Sequence, residues 1–239
     1  MLTIICPTNN ERILEQCLKN SLNRQYYKNY ELIIVETKNN KFKSAVSAIN
    51  EGIKQAKGDY VMVVHHDVVF EKNDELQRIV DAVEKIKDFG IIGVAGMSKN
   101  KGEFIGNITN GENKEKISNV KLDVPMEVET IDEVLFIINK KKLEKYPLDS
   151  KNETWHLYAV EYCLRMHINN EKVIVIPSEI YHKSAGSSMN EDYFLQLKKL
   201  CKEYKKNYKV INTTCGYWFT SGILHRLQIY RNLRRIKQR

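Results

Sequence analysis

Apolar residues in the first hundred positions of the sequence follow two alternating patterns. Short continuous runs rich in Val and Ile predict strands at residues 2–6, 31–36, 60–64 and 91–97. Apolar residues at helical spacing predict helices at residues 11–23, 44–57 and 74–88. Strands that are apolar throughout and alternate with amphipathic helices are typical of a mostly parallel sheet with helices on both faces. We therefore predict an α/β fold built on a Rossmann-type sheet.

The pattern changes after residue 97. Residues 98–129 are polar and lack a period, which predicts hairpins or a mobile loop. The pattern then predicts a strand at 134–138, helices at 140–146 and 156–168, and a strand at 173–176. These elements complete the predicted main domain.

The last fifty residues differ in charge from the rest of the chain. Residues 190–239 hold 12 Lys and Arg against 3 Asp and Glu, a net charge of +9, whereas the whole chain carries +8. We predict a main domain at 1–189 and a basic amphipathic helical extension at 190–239, with an exposed helix at 190–209. Because the excess charge is confined to the extension, a polyanionic surface is its expected partner. Nucleic-acid binding by the main domain is disfavoured.

The cysteines and the length of the apolar runs bear on location. The five cysteines form no CxxC pair, which favours a reducing compartment. The N-terminus lacks the pattern of a signal peptide, and no apolar run approaches the eighteen or so residues that a membrane span requires. The expected location is the cytoplasm, with the extension able to contact the inner face of the cell membrane.

Polar or turn-forming residues follow three of the predicted strands. Pro7, Glu36 and Asp67 stand at these junctions. In open α/β sheets, ligands bind beyond the carboxyl ends of the strands, so the three junctions are candidate parts of one site. Ordinary turns and helix caps are the alternative, and no glycine-rich dinucleotide or phosphate-binding loop is present.

A more specific pattern runs from Asn50 to Phe70. An N-x-G-x3-A-x-G helix leads into an apolar strand that ends in His65-His66-Asp67. This arrangement resembles the family 2 glycosyltransferases of the GT-A fold, in which the strand ends in an acidic DxD-type or related H-x-D motif. Other motifs occur in that family's order, and the resemblance covers residues 2–188. These motifs are PTNNE at 7–11, TID at 130–132, WHLY at 155–158, EYCLR at 161–165 and YHKS at 181–184.

The resemblance implies a nucleotide diphosphosugar donor, most simply of UDP type, and a divalent metal, Mn²⁺ or Mg²⁺. It makes Asp67 and His182 the metal ligands, with His65 and His66 contacting ribose or phosphate. A cation there would stabilise the charge that collects on the leaving diphosphate. The remaining residues expected around the nucleotide are Pro7, Thr8, Asn9, Glu11, Glu36, Asn50 and Gly52.

Structural roles stay open for several of these positions. Asp67 can end its strand as a turn or cap, and a lone histidine such as His182 is usually structural. Gly52 can be a helix packing contact.

The catalytic base is the point at which the sequence departs from the resemblance. Sugar transfer with inversion needs a base for the acceptor hydroxyl. The family's usual base position falls on Ala159, which has no such group. Glu161, one turn into the same helix, is the expected replacement, although it can instead pair with Arg165. A base from elsewhere, or a catalytically silent sugar-nucleotide-binding protein, remains an alternative.

The acceptor is expected to be a glycan or a lipid-linked sugar. The resemblance places Asp132 near it, and Trp155 and His156 lie beside the start of the helix that carries Glu161. Aromatic faces stack on sugar rings, although Trp155 can equally pack in the core.

The tail of the extension is predicted to dock on an anionic membrane surface. Trp218 and Phe219 would lie at the headgroup boundary, and basic side chains would meet lipid phosphates. The tail can instead fold back on the domain or pair with a second subunit. The predicted apolar stripe is Ile223, Leu224, Leu227, Leu233 and Ile236. The predicted basic contacts are Arg226, Arg231, Arg234, Arg235, Lys237 and Arg239.

Overall fold

The computed structural model of the protein describes residues 1–99, 102–118, 121–149, 151, 153–184 and 189–238. Parts of three predicted segments lie outside the described residues: 100, 101, 119 and 120 of the polar segment, 150, 152 and 185–188 of the rest of the main domain, and Arg239 of the tail. The side chain of Lys237 is also outside them.

The elements follow the predicted order. The strands are β1 Leu2–Thr8, β2 Tyr30–Glu36, β3 Tyr60–Val64, β4 Val68–Phe70, β5 Ile91–Gly93, β6 Ala95–Met97, β7 Phe104–Gly106, β8 Thr109–Asn110, β9 Glu115–Lys116, β10 Met126–Glu127, β11 Thr130–Ile131, β12 Leu135–Asn139, β13 Val173–Val175, β14 Ile180–His182, β15 Val210–Thr213 and β16 Gly216–Phe219. The helices are α1 Glu11–Leu14, a π-helical turn Glu15–Lys19, α2 Asn20–Asn23, a 3-10 turn Lys38–Asn40, α3 Ala45–Gln55, α4 Glu75–Ile86, α5 Lys140–Lys145, α6 Tyr158–Ile168, α7 Glu191–Tyr204 and α8 Gly222–Lys237.

A seven-stranded sheet runs through the centre of the molecule. Its strand order is β10-β13-β5-β12-β3-β1-β2. β1 is parallel to β2 and β3, and β13 is parallel to β5. β12 is antiparallel to both of its neighbours, and β10 is antiparallel to β13. The predicted mostly parallel α/β sheet is confirmed, with β12 inserted against the common direction.

Both faces of the sheet are covered, because alternate residues of its strands point into different cores. Met62 and Val64 of β3 belong to the core that includes α4. Val61 and Val63 belong to the core on the other side, which includes α3 and α6. This two-sided burial explains why β3 is apolar at every position.

The local sequence explains where α3 begins and where the chain turns after it. Ser44 and Ser47 form a capping box, in which each side chain accepts the other's backbone N–H at 3.2 Å. After α3, the chain passes so close to β1 at Gly58 that an added Cβ would lie 2.7 Å from the Met1 carbonyl oxygen. The predicted boundaries of this helix and the following strand therefore follow from capping and close packing.

The predicted strand at 91–97 is two strands. β5 lies in the central sheet, whereas β6 pairs with β11 and β7 in a separate three-stranded sheet. Gly96 allows the close approach of β11, since a Cβ there would lie 2.3 Å from the Thr130 carbonyl oxygen. The chain thus leaves the central sheet before the polar segment begins.

The extension shares a third core with the main domain, so the predicted exposure of its first helix is wrong. Six residues of α7 are buried against Leu157, Val160 and Leu164 of the α6 region. The α7 residues are Tyr193, Phe194, Leu197, Leu200, Cys201 and Tyr204. The lysines of α7 lie on its opposite face. The boundary at residue 189 stays a prediction.

Only part of the predicted membrane-docking tail is exposed to solvent. Trp218 is buried between Tyr193 and Phe194, and its Nε1 donates to Thr213 Oγ1 at 3.0 Å. The predicted headgroup role for Trp218 is therefore wrong. Leu233 and Ile236 pack against the third core. The exposed apolar residues of α8 are Ile223, Leu224, Leu227 and Tyr230. Among the described helices, none combines the length and the apolar character needed to cross a membrane.

Candidate metal and nucleotide site

One edge of the central sheet carries a cleft of about 590 Å³. The carboxyl ends of β1 and β3 reach this edge in parallel. Residues after β2 and residues before α6 form the other walls. The lining residues that matter here are Pro7, Thr8, Asn9, Thr37, Asn40, Phe42, His65, His66, Asp67, Glu133, Trp155, His156, Tyr158 and Ser184. The junctions after β1 and β3 meet as predicted, because parallel strands end at the same edge.

Three metal-ligating side chains meet beside this cleft. One ligand atom from each of His65, Asp67 and His182 lies within 4.8 Å of the others. His182 Nε2 is 3.3 Å from Asp67 Oδ1, and the two ring centroids of His65 and His182 are 5.5 Å apart. The short strands β4 and β14 bring them together, since His182 pairs with Val68 directly after Asp67.

Ser184 completes the surroundings of this cluster. Its backbone N–H donates to Asp67 Oδ2 at 3.1 Å, and its hydroxyl lies 2.9 Å from His182 Nε2. The Lys183 N–H donates to the Asp67 carbonyl oxygen at 3.0 Å. Main-chain and side-chain hydrogen bonds therefore fix the orientation of Asp67 and His182.

The charges of the cluster suit metal ligation. Burial alone would raise the pKa of Asp67, but the hydrogen bonds from His182 and Ser184 and the nearby imidazoles bring it well below its usual range. Burial, with the neighbouring His182, lowers the pKa of His65. An ionised carboxylate beside a neutral imidazole presents lone pairs to a cation. Two nitrogens and one oxygen suit Mn²⁺ better than Mg²⁺, which prefers oxygen. The residues present thus fit a divalent metal.

The residues after β1 contact the residues after β3. Thr8 Oγ1 lies 3.1 Å from His66 Nδ1, and it accepts the Asn10 N–H at 3.2 Å. Asn10 caps α1 by accepting the Ile13 N–H. Burial lowers the pKa of His66. Pro7, Thr8 and Asn9 line the cleft, so capping and lining occur together at this junction.

The junction after β2 contributes different residues from the one predicted. Glu36 is exposed, 3.5 Å from Lys38 Nζ, and is outside the lining set. Asn39 and Asn40 both have positive φ, 57° and 54°, a conformation that asparagine tolerates better than most residues. This turn brings Thr37 and Asn40 to the cleft. The polar side chains that reach the cleft, those of Thr37 and Asn40, follow the end of β2. The sequence pattern there indicates only a loop, so it did not single them out.

Three other predicted nucleotide contacts are not brought to the cleft. Glu11 is exposed in the first turn of α1, and Asn50 lies on α3. Gly52 is buried against β1, where an added Cβ would lie 2.6 Å from Ile5 Cγ2. Gly52 therefore has the packing role that the sequence left open as an alternative.

A second cleft, of about 270 Å³, adjoins the first. Asp132 lines it, with Oδ1 accepting the Val134 N–H at 3.0 Å and Oδ2 accepting the Thr214 hydroxyl at 2.5 Å. His156 lines both clefts, and burial lowers its pKa. Trp155 is 42% exposed and lines the larger cleft, so it does not pack in the core.

Glu161 lies away from both clefts. Its Oε1 accepts from Arg165 Nε at 3.0 Å and from the Tyr204 hydroxyl at 2.7 Å, and Oε2 accepts from Arg165 at 3.2 Å. It is outside the lining sets of the two clefts in the described chain. The structure thus gives Glu161 the paired role that was the alternative to the base.

Glu133 is the carboxylate that the sequence analysis missed. It lines both clefts and accepts the Ala159 N–H at 3.4 Å. It precedes β12, and residues before a parallel strand would lie at the opposite edge. Because β12 is antiparallel to β3, with Leu135 opposite Val64, Glu133 reaches the cleft edge instead. The one feature of the sequence that could have indicated Glu133 as a site residue is its position next to Asp132.

Comparisons with known proteins agree with this architecture. A family model described as "Glycosyltransferase like family" matches residues 3–208. No curated protein matches the sequence. Among solved structures, TarS of S. aureus is 15% identical with a TM-score of 0.58, over 97% of this chain and 42% of that chain. A shorter TarS structure, residues 1–349, is in complex with UDP-GlcNAc.

Two further solved structures are similar. Mannosyltransferase PcManGT from Pyrobaculum calidifontis, in complex with GDP-Man and Mn²⁺, is 12% identical with a TM-score of 0.60, over 87% of this chain and 65% of that chain. GalNAc-T7, with UDP, GalNAc and Mn²⁺, is 13% identical with a TM-score of 0.61, over 86% of this chain and 48% of that chain. At these identities the likeness concerns the fold. This chain also spans less than half of the longer TarS chain.

Proposed function

Since the chain belongs to the glycosyltransferase-like family whose model matches residues 3–208, we propose that it transfers a sugar from a nucleotide diphosphosugar to a glycan or lipid-linked acceptor. The transfer depends on a divalent metal and inverts the anomeric centre. The observation that carries the proposal is the His65, Asp67 and His182 cluster beside a cleft large enough for a nucleotide. Structures with this fold hold UDP-GlcNAc or GDP-Man, so the donor is a nucleotide sugar, taken first as UDP-type.

The nucleoside lies in the larger cleft. The side chains of Thr8, Thr37 and Asn40 offer hydrogen bonds to ribose and base, and Phe42 offers a ring face for stacking. The diphosphate then reaches the end of β3, where His65, Asp67 and His182 converge. Of the predicted nucleotide contacts, Pro7, Thr8, Asn9 and His66 line this cleft and are assigned to the nucleotide, whereas His65 is assigned to the metal instead.

The metal would be held by His65, Asp67 and His182. When bound, it supplies positive charge to the diphosphate oxygens, on which negative charge grows as the glycosidic bond breaks. His66 is not part of this group of converging ligand atoms, and its Nδ1 lies 3.1 Å from Thr8 Oγ1. Mn²⁺ is the expected ion, since imidazole ligands suit it better than Mg²⁺.

The acceptor enters through the second cleft. Asp132, held by Val134 and Thr214, presents a fixed carboxylate there, and His156 lies between the two clefts. Trp155 offers an exposed ring at the mouth of the larger cleft, suited to stacking on a sugar. The proposal takes the acceptor to attack the anomeric carbon on the face opposite the diphosphate, which gives inversion.

The proposal includes docking of the exposed face of α8 on an anionic lipid surface, where a lipid-linked acceptor would reside. Ile223, Leu224, Leu227 and Tyr230 form its apolar part. Four exposed arginines of the same helix supply positive charge, and the described part of α8 carries no acidic residue to offset them. The arginines are Arg226, Arg231, Arg234 and Arg235. This combination of an apolar strip with flanking cations matches the membrane interface.

A panel of UDP- and GDP-sugars tests the transfer function. Thermal shifts with and without Mn²⁺ identify donors that bind, and release of the nucleoside diphosphate with glycan and lipid-linked acceptors measures transfer. Metal-dependent binding with release in the presence of an acceptor is the expected result. Binding without release from any donor would instead indicate a catalytically silent sugar-nucleotide-binding protein, which Ala159 keeps as an alternative. Absence of any nucleotide binding would refute both.

A further inference from the structure

The two clefts share one carboxylate, and the fold holds it at their boundary. Glu133 lines both the larger and the smaller cleft. The segment that carries it is fixed at the end of β3, because the His65 N–H donates to the Val134 carbonyl oxygen at 3.0 Å. A group at this boundary lies between a donor in the first cleft and an acceptor in the second.

Helix α6 begins beside Glu133, and its N-cap residue makes no side-chain hydrogen bond to the first turn of the helix. Leu157, its N-cap residue, has a φ of 63° and offers no polar side chain. The Glu133 carboxylate takes that place by accepting the Ala159 N–H at 3.4 Å. Glu133 thus accepts from the N–H groups at the start of α6, which hold its carboxylate beside the two clefts that it lines.

The other carboxylates nearby are engaged elsewhere. Asp67 belongs to the metal cluster. Asp132 holds the Thr214 hydroxyl and the Val134 N–H. Glu161 is paired with Arg165 and Tyr204. Glu133 accepts from the backbone N–H groups of Leu157, Tyr158 and Ala159 at the start of α6, with the Ala159 nitrogen 3.4 Å from Oε1. An ionised carboxylate has about four lone-pair sites, so it can still take a proton.

We propose that Glu133 is the catalytic base of this site, a role that rests on the proposed transferase function. As the acceptor oxygen forms its bond to the anomeric carbon, its proton passes to the Glu133 carboxylate. The bond from the anomeric carbon to the diphosphate oxygen breaks, and its electron pair leaves with the diphosphate. The proton on Glu133 then passes to solvent before the next cycle.

The surroundings of Glu133 make it a stronger base than an exposed carboxylate. Burial raises the pKa of Glu133 to about 8, the charge of Asp132 adds to the rise, and the N–H groups at the start of α6 oppose it. A base with a pKa near the working pH is the most effective one for general-base catalysis. The helix cap and the base role are compatible, because an ionised carboxylate has about four lone-pair sites, more than the backbone N–H groups at the start of α6 occupy.

The variants Glu133→Gln and Glu133→Ala separate the base role from a capping role alone. Glutamine keeps an oxygen that accepts the Ala159 N–H but cannot accept the acceptor's proton. We therefore expect Glu133→Gln to lower the rate of nucleoside diphosphate release from the best donor of the panel by a factor of about 10² to 10⁴. Its affinity for UDP with Mn²⁺ should stay within about twofold, as expected for an effect on the chemical step. Glu133→Ala should lose the same activity and also lower the melting temperature.

Glu171→Gln is the matched control. Glu171 pairs with Lys142 beyond the other end of α6, so its substitution removes a partly buried carboxylate without touching either cleft. It should leave the rate of release unchanged. Near-wild-type release by Glu133→Gln would overturn the base role, as would a loss of UDP affinity equal to the loss of rate. UDP binding without release by the wild type would also overturn it, whereas a wild type that binds no nucleotide would refute the proposed function itself.

Discussion

The hydroxyl of Tyr204 in α7 donates a 2.7 Å hydrogen bond to Glu161 Oε1 in α6. Arg165, one turn further along α6, donates to both oxygens of the same carboxylate. Glu161 is 6% exposed, so this network joins the main domain to the extension within a largely buried setting. Its geometry indicates a structural role for Glu161.

Glu161→Gln is expected to destabilise the fold and spare the chemistry. The variant removes the charge that Arg165 neutralises and one of its acceptors, so the free energy of unfolding should fall by roughly 1 to 3 kcal/mol. Urea denaturation measures this loss, and nucleoside diphosphate release should stay near the wild-type rate. Tyr204→Phe, which removes a single hydrogen bond, is the control for the α7 contact. A large loss of rate at unchanged stability would restore Glu161 as the base.

Asp67→Asn and His182→Ala are expected to abolish metal-dependent nucleotide binding. His182→Ala removes one of three converging ligand atoms, and Asp67→Asn removes the negative charge of another. We expect the affinity for UDP in Mn²⁺ to fall at least about tenfold, in line with losses seen when metal-site partners are removed. Calorimetric titration of UDP with Mn²⁺, with Mg²⁺ and with EDTA checks this. Mn²⁺ should support tighter binding than Mg²⁺, because two of the ligands are imidazoles.

Asp59→Asn is the matched control for these titrations. Asp59 precedes β3 at the edge opposite Asp67, where it pairs with the N-terminal amino group at 3.1 Å. The Asp59→Asn substitution should leave UDP binding unchanged. If EDTA did not weaken UDP binding by the wild type, the metal assignment would be wrong, whatever the variants showed.

The sequence predicted the site residues that follow parallel strands. It did not predict Glu133, whose position depends on β12 being antiparallel to its neighbours. The end of β3 at His65 to Asp67 was predictable, because an apolar run ends there in polar residues. Glu133 was not, because a strand buried on both faces has the same pattern in either direction. The direction of β12 is seen only in its pairing with β3 in the folded protein, where it is antiparallel. This direction brings Glu133, which precedes β12, to the cleft.

Helix α7 shows a second limit of reading from sequence. Its lysines suggested an exposed helix, yet Tyr193, Leu197 and Leu200 recur at helical spacing and are buried. Net charge describes the solvent face of a helix, whereas the spacing of its apolar residues decides burial. The family resemblance is what linked His182 to Asp67, since no local pattern joins the two residues, and the structure brings their side chains together.

Glu133→Gln is expected to change the pH dependence of stability. The folded-state pKa of Glu133, about 8, lies above the ordinary 4.5. The contribution of the protonated carboxyl is therefore fully present below 4.5 and is lost as the pH rises through 8. Glutamine does not titrate, so the melting temperature of the variant minus that of the wild type should increase from pH 5.5 to pH 8.5.

Thermal unfolding in metal-free buffer across this range measures the difference. For a chain of this size each kcal/mol corresponds to about 2–4 °C, so an increase of several degrees is readily measured. Parallel curves for the two proteins would contradict the raised pKa of Glu133.

The exposed face of α8 is expected to bind anionic vesicles reversibly. Its four arginines each contribute roughly 1 kcal/mol near an anionic surface, and the attraction weakens with salt. Cosedimentation with phosphatidylglycerol vesicles should exceed that with phosphatidylcholine vesicles at low salt, and the difference should shrink at high salt. Point variants are preferable to a truncation, because Ile229 of α8 is buried in the third core and its removal would expose that core.

The double variant Ile223→Ser with Leu227→Ser tests the apolar part of this surface. Both side chains are exposed, so the substitutions should leave the melting temperature unchanged while weakening vesicle binding. Ile168→Ser, at an exposed isoleucine at the end of α6, is the matched control and should bind vesicles as the wild type does. Equal binding to both lipids, or full binding by the double variant, would refute membrane docking. A dimer in sedimentation equilibrium that the double variant dissociates would instead assign the stripe to a second copy of the chain.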